Sequence, residues 1–432
     1  MRTLPDHYNG RFPLMSLASE AVPVAAASRT QRNGALALAL FSTGHLCADM
    51  YSGALGGLQP LLVSRFGMSL ADAGVLGGML VFSSSVMQPV YGYLSDRFRT
   101  RLFAALGPAV AGIFISSLGL APAYGWLLLM VALGGAGVAA FHPPATAAAI
   151  AGVERNRAGA MALFVSAGTL GYALGPTYFS LVAGRLGLSR TWWAAIPGLL
   201  ISILMLALLP APPAHSRERP GFDWAALRGV WRPLTVLYAL VFIRSVIQIT
   251  YAQFIPLYLH LERGYTVSAA SYTLSMYLVF AAVGGLVGGH LADRFGGPLV
   301  ITVSMIGSVP FLALFFLAHG WLSVAGLLLG GLILLFTIPV NVVMAQDLVP
   351  SQAGTVSALM MGFAWGMAGI VFIPLTGWAA DRITLHYALM ALTVFPLGGF
   401  FLSLKLLRGS RPVGQAVWPA RQAEPPAPRT GT

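Results

Sequence analysis

His45 and Asp49 stand four residues apart in an otherwise apolar stretch, Gly44-His45-Leu46-Cys47-Ala48-Asp49-Met50. On a helix that spacing puts both side chains on one face. A charge at mid-bilayer costs about 2.5–3.5 kcal/mol on insertion scales, so such a pair has to face a polar interior rather than lipid. A carboxylate withdrawn from water gains from binding a proton. Asp49 is therefore expected to take up and release a coupling proton, with His45 tuning or relaying it. The plainer alternative is an Asp–His hydrogen bond that pins two helices together. Arg244, Gln248 and Tyr251 recur at i, i+4 and i+7 and form one polar stripe. The planar fork of an arginine matches carboxylate, phosphate or phosphonate, so Arg244 is expected to bind an anionic substrate or to pair with Asp49. A structural ion pair, or snorkelling to the interface, are the alternatives. His142 precedes Pro143 and Pro144, whose missing N–H groups are expected to break a helix beside a histidine. That break reads equally as a binding element or a packing kink. Asn341, four residues after Thr337, completes an expected substrate-binding set of Arg244, Gln248, Tyr251, His142 and Asn341. No metal site is expected, because His45 and His142 lie on different segments and no third ligand is evident.

The elements that carry these residues are apolar. Hydrophobic residues make up 57% of the chain and charged residues 9%, far below the quarter that a water-exposed shell requires. Lipid must therefore cover much of the surface. A spanning helix takes about 20 residues, and twelve candidates begin near Ala35, Ala73, Leu102, Ala123, Ala158, Thr191, Leu234, Ser268, Pro298, Trp321, Thr355 and Leu385. The predicted fold is all-α, with twelve transmembrane helices in two pseudo-symmetric six-helix bundles over residues 35–209 and 233–405. A cytosolic linker is expected at 210–232, and disordered cytosolic tails at 1–34 and 406–432. With the termini inside, nineteen cationic residues fall on the cytosolic side and five outside, Arg244 excepted. That bias predicts a multi-pass protein of the cell's inner (plasma) membrane with both termini cytosolic. The +12 net charge is scattered through loops without a basic, aromatic-laced face, so no nucleic acid is expected as partner. The single cysteine, Cys47, excludes an intrachain disulfide.

The halves repeat. Gly92-Tyr93-Leu94-Ser95-Asp96-Arg97-Phe98 returns as Gly289-His290-Leu291-Ala292-Asp293-Arg294-Phe295, and Gly67 to Asp96 has the spacing of Gly264 to Asp293. Two repeats of equal orientation bracket a central site and can rock against each other. Gly168, Gly171 and Gly175 are expected to let the fifth helix approach a neighbour closely, with Pro176 bending it.

These features resemble the major facilitator superfamily: the doubled Gly-x-Leu-Ser/Ala-Asp-Arg loop is its best-known signature, and Gly168-x-x-Gly171-x-x-x-Gly175-Pro176 is similar to its glycine-rich antiporter motif. Narrower features resemble the fosmidomycin-resistance branch. They are the His45–Asp49 segment, Pro60-Leu61-Leu62, Phe141-His142-Pro143, Ala345-Gln346-Asp347-Leu348-Val349-Pro350 and Gly362-Phe363-Ala364-Trp365-Gly366. Ala48 stands where that branch often has Asn, and Pro144 where it often has an acid, so the resemblance does not extend to the substrate. It implies a monomeric secondary transporter and a gating latch in Asp96, Arg97 and Arg101, repeated in Asp293 and Arg294. The function expected is proton-coupled efflux, by antiport, of a small drug-like or anionic molecule. Uptake of a small metabolite by symport is the alternative, and a membrane sensor or enzyme is disfavoured. No Gly-x-x-x-x-Gly-Lys-Ser/Thr loop occurs, so no cofactor is expected and the proton gradient is the expected energy source.

Overall fold

The computed structural model describes residues 24–98, 100–151, 153, 156–209 and 224–409, and among them the chain is helical with no strand. Twelve helices run antiparallel in chain order: α1 Val24–Phe66, α2 Leu70–Phe98, α3 Leu102–Ser116, α4 Tyr124–Ala149, α5 Arg157–Leu186, α6 Leu188–Leu208, α7 Trp231–Leu261, α8 Val267–Phe295, α9 Gly297–Leu317, α10 Gly320–Leu348, α11 Pro350–Ala380 and α12 Leu385–Leu407. All but α1, α3 and α5 satisfy both length and apolarity for crossing a membrane. A short helix, Trp224–Gly229, precedes α7.

Local chemistry sets these boundaries. Ser69 caps α2 by accepting from Asp72 N, while the Asp72 carboxylate accepts from Ser69 N, a reciprocal box. Thr266 and Asn156 cap α8 and α5 by accepting from Ala269 N and Gly159 N. The equivalent turns α1–α2 and α7–α8 each contain a glycine at positive φ, Gly67 at 59° and Gly264 at 70°, which is why the repeat keeps glycine there. Two boundaries differ from the sequence reading. α1 starts at Val24 instead of Ala35, so the segment expected to end a disordered tail is helical there, as its Ala25-Ala26-Ala27 run favours. α4 continues through Pro143 and Pro144 and is not broken. Proline's fixed φ is helical, and the loss is confined to backbone hydrogen bonds. Residues 1–23, most of the expected linker (210–223) and the final tail (410–432) lie outside the described residues.

Helix α1 packs against each of α2 to α8, while Ala35, Leu36, Ala39 and Thr43 on its first turns stay exposed. The bundles meet along α2–α11, α5–α8 and α1–α7. Their contacts gather at the end remote from the chain termini. There Asp381, closing α11, accepts from Leu70 N (2.8 Å) and Ala71 N (2.9 Å) at the start of α2. Thr177 donates to Ser275 (2.8 Å) and Ser180 to Ser268 (3.3 Å). A Cβ on Gly56 would run into the Ala252 carbonyl. Towards the termini the seam along α2 and α11 passes through π-helical turns, Phe82–Val86 and Ala358–Phe363. Within and beyond these turns Met361, Phe363 and Tyr93 are exposed.

Candidate functional site

Asp49 and Arg244 lie about two turns on the terminal side of the Gly56–Ala252 crossing. The site in the first bundle is assembled from three helices. From α1, His45 Nε2 lies 3.3 Å from Asp49 Oδ2. From α4, His142 Nε2 reaches the other carboxylate oxygen, Oδ1, at 3.2 Å. Each imidazole is held from behind by a backbone carbonyl at 2.8 Å, His45 Nδ1 by Phe164 of α5 and His142 Nδ1 by Val138 of α4. The His45 ring lies 4.3 Å, centroid to centroid, from the ring of Phe164 and 4.9 Å, edge-on, from His142. Gly168 makes this possible, because a Cβ there would collide with His45 Nε2. Gly171 and Gly175 bring α5 against the α1 carbonyls of Leu46 and Met50 in the same way. Pro176 lies inside an unbroken α5, beside Gly57. The Asp49 and His142 side chains remain 19% and 20% exposed.

In the second bundle Arg244 is 5% exposed. It donates through Nη1 to Gln248 Oε1, and among the described residues it makes no ion pair and its Nε has no partner. Neither snorkelling nor the expected Asp49–Arg244 pair is found: Asp49 is engaged by two histidines and Arg244 is enclosed. Asn341 is fully buried with both ends of its amide unpaired. Tyr251 leaves the expected stripe, because its hydroxyl donates to Leu389 O of α12 and its ring packs on Phe316. His142 meets Asp49 and His45, whereas the sequence reading grouped it with Arg244, Gln248, Tyr251 and Asn341.

Two residues missed by sequence reasoning lie near these groups: Tyr172 of α5 is close enough to Asp49 to feel its charge, and Tyr277 of α8 close enough to feel that of Arg244. The Tyr277 hydroxyl is buried without a partner, and its ring occupies space left by Gly331. Tyrosines in apolar helices carry no spacing signal. The one hint was Gly171 beside Tyr172.

The sequence-based reason for excluding a metal does not hold. His45, Asp49 and His142 come from two helices, yet they place one ligand-type atom each within 4.8 Å of one another. In the arrangement described, however, each of the four ring nitrogens already faces a hydrogen-bond acceptor.

The family model described as Major Facilitator Superfamily matches residues 41–373, and again 237–430. The chain belongs to the Major Facilitator Superfamily. It is a membrane transporter and not an enzyme. It is 28% identical to the fosmidomycin resistance protein of Escherichia coli (strain K12) over 89% of this chain and 97% of that protein. It is 29% identical to the MFS-type transporter YfnC of Bacillus subtilis (strain 168), over 83% and 90%. Its fold matches the crystal structure of a bacterial homologue of the human lysosomal transporter Spinster, inward-facing and unoccupied, with TM-score 0.73 and 15% identity, covering 88% of this chain and 98% of that one. Within the superfamily frame the expected latch residues Asp96, Arg97, Asp293 and Arg294 are exposed at the ends of α2 and α8, on the terminal side. They stand on helix ends and not in a tight turn. Arg294 lies over the Phe295 ring and Arg101 begins α3.

Proposed function

We propose that this superfamily member is a proton-coupled antiporter of the plasma membrane that exports a small drug-like or anionic molecule, as a monomer with cytosolic termini. The observation that carries the reading is the convergence of His45 and His142 on Asp49, opposite a bundle whose buried arginine, Arg244, has no acidic partner among the described residues. In this reading Asp49 binds and releases the transported proton, and Arg244, Gln248 and Asn341 hold the substrate. The bundles are joined at the end remote from the termini, which corresponds to a site open to the cytosol. Each elementary charge crossing 100 mV is worth about 2.3 kcal/mol, so one proton sustains roughly a 50-fold solute gradient.

Fosmidomycin, which the Escherichia coli relative is named for resisting, is the first compound to test. In inverted vesicles with a pH dye inside, adding fosmidomycin should dissipate an acid interior. Cells carrying the protein should tolerate more of the drug than cells lacking it. An unchanged pH signal across a panel of drugs removes the antiport reading. One observation favours symport instead: an anion on Arg244 would attract protons to Asp49 and the histidines, so the two would bind together. The sign of the pH dependence separates the cases. Binding that tightens as protons leave supports antiport, and binding that tightens as they arrive supports symport.

A further inference from the structure

His45 and His142 together present four ring nitrogens, and each faces an acceptor. The four partners are Phe164 O, Val138 O, Asp49 Oδ2 and Asp49 Oδ1, at 2.8, 2.8, 3.3 and 3.2 Å. A carbonyl or carboxylate oxygen cannot donate, so each contact needs its own proton. Two neutral imidazoles supply two. The carbonyls claim both of those, at Nδ1, which leaves bare Nε2 lone pairs directed at the oxygens of an ionised Asp49. The closed arrangement therefore holds two protons more than the neutral-histidine, ionised-aspartate state. They sit as two imidazolium groups around a carboxylate, or as one imidazolium with a carboxylic acid that donates to the other ring. Both distributions have the same proton count and the same net charge of one positive unit.

We propose that His45, Asp49 and His142 are a single two-proton site, with His142 a proton carrier equal to His45 and with both Nδ1 protons fixed throughout. The proposal deepens the proton-coupling reading above and rests on it. Loss of one proton leaves lone pair against lone pair across one contact, and loss of two does so across both, so α4 separates from α1 at His142. The next residues along α4, Pro143 and Pro144, lack backbone donors, which makes this stretch the compliant part of the helix. The other ionisable groups within electrostatic reach are Tyr172 from α5, near Asp49, and, in the second bundle, Tyr277 from α8 with Arg244 from α7. Tyr51 of α1 is turned away onto Ala194, Ala195 and Gly198 of α6. With two protons per cycle, the gradient sustained at 100 mV is on the order of 2,000-fold for a neutral solute, the square of the single-proton value.

Nitrogen NMR of the full-length protein in nanodiscs, labelled with ¹⁵N-histidine and assigned with His45→Gln and His142→Gln, tests the hydrogen-bond pattern. Both rings should keep a protonated Nδ1 at alkaline and at acidic pH, with Nε2 bare at alkaline pH. An Nε2-protonated tautomer in either ring at alkaline pH overturns the proposal. Proton uptake by the purified protein on a step to acid, read as wild type minus a variant lacking all three side chains, should be two per molecule, and a difference of one overturns it. In proteoliposomes with fosmidomycin as probe, proton flux per drug should halve in His142→Gln, and an unchanged ratio counts against the proposal. If fosmidomycin moves no protons in wild type, the transport reading fails. The NMR pattern and the uptake count still decide the two-proton site by themselves.

Discussion

In the amino-terminal bundle the polar atoms of the site are paired: Asp49 with two histidines, and each histidine with a backbone carbonyl. In the carboxy-terminal bundle Arg244 Nε, the Tyr277 hydroxyl and both ends of Asn341 have no partner. The helices that carry these groups are equivalent. Pro60 of α1 and Pro256 of α7 set a register in which Arg244 stands where α1 has Ala48, beside Asp49. Each bundle also seats a ring over a glycine, His45 over Gly168 and Tyr277 over Gly331. A buried polar group left unsatisfied costs about 1–3 kcal/mol, and more if charged. In the proposed reading the first half is complete once protons are bound, while the second stays strained until a ligand supplies hydrogen-bond partners. One duplicated plan would then have diverged into a half for the ion and a half for the cargo.

The sharpest way to break this division is Asp49→Asn. Drug accumulation driven by a proton-motive force of about 100 mV should fall by about 50-fold for each proton lost, while drug-for-drug exchange persists. Retained gradient dependence would relocate the proton site. Arg244→Ala should weaken an anionic substrate by about 10- to 150-fold, the range for a charge-assisted hydrogen bond of about 1.5–3 kcal/mol. Its proton uptake on acidification should be unchanged, and equal loss of both properties would show that the halves are not separable. The paired glycines sharpen the comparison further. Gly168→Ala forces a methyl group against His45 and should cost about 1–3 kcal/mol, seen as a lower melting temperature together with altered proton uptake. Gly331→Ala should cost about the same and change substrate affinity alone. The smallest effect is expected at the seam between the bundles. Asp381→Asn removes a charge from the start of α2, worth about 0.3–1 kcal/mol, and should shift the conformational ratio about two- to fivefold. Spin-label distances across the terminal-side ends of α2 and α11 would report it.

Much of the architecture could be read directly. The twelve apolar runs and the duplicated Asp-Arg loop gave the two-bundle plan. Gly67 and Gly264 marked equivalent turns, because only glycine sits easily at those φ values. The site was legible in part. The pair His45 and Asp49 followed from helical spacing, and so did Arg244 with Gln248, since residues four apart on one helix are neighbours whatever surrounds them. His142 was noticed beside its prolines, but its contact with Asp49 was not foreseen. Tyr251 was placed on the polar stripe by arithmetic, but its hydroxyl is drawn to Leu389 across the bundle. Tyr277 and Asp381 had no signal, and Tyr172 only its neighbour Gly171, as the groups they meet lie on helices far away in sequence.

What the chain dictated by itself was therefore everything governed by periodicity and polarity: which segments enter lipid, which way they alternate, and which side chains share a face. What only tertiary structure decided was who meets whom between helices. Contact across a helix pair depends on how closely two backbones approach, and here glycines at Gly168 and Gly171 allow α5 to press Phe164 O onto His45. The packing of α4 onto α1 then delivers His142 to Asp49 and turns a two-residue pair into a three-residue site.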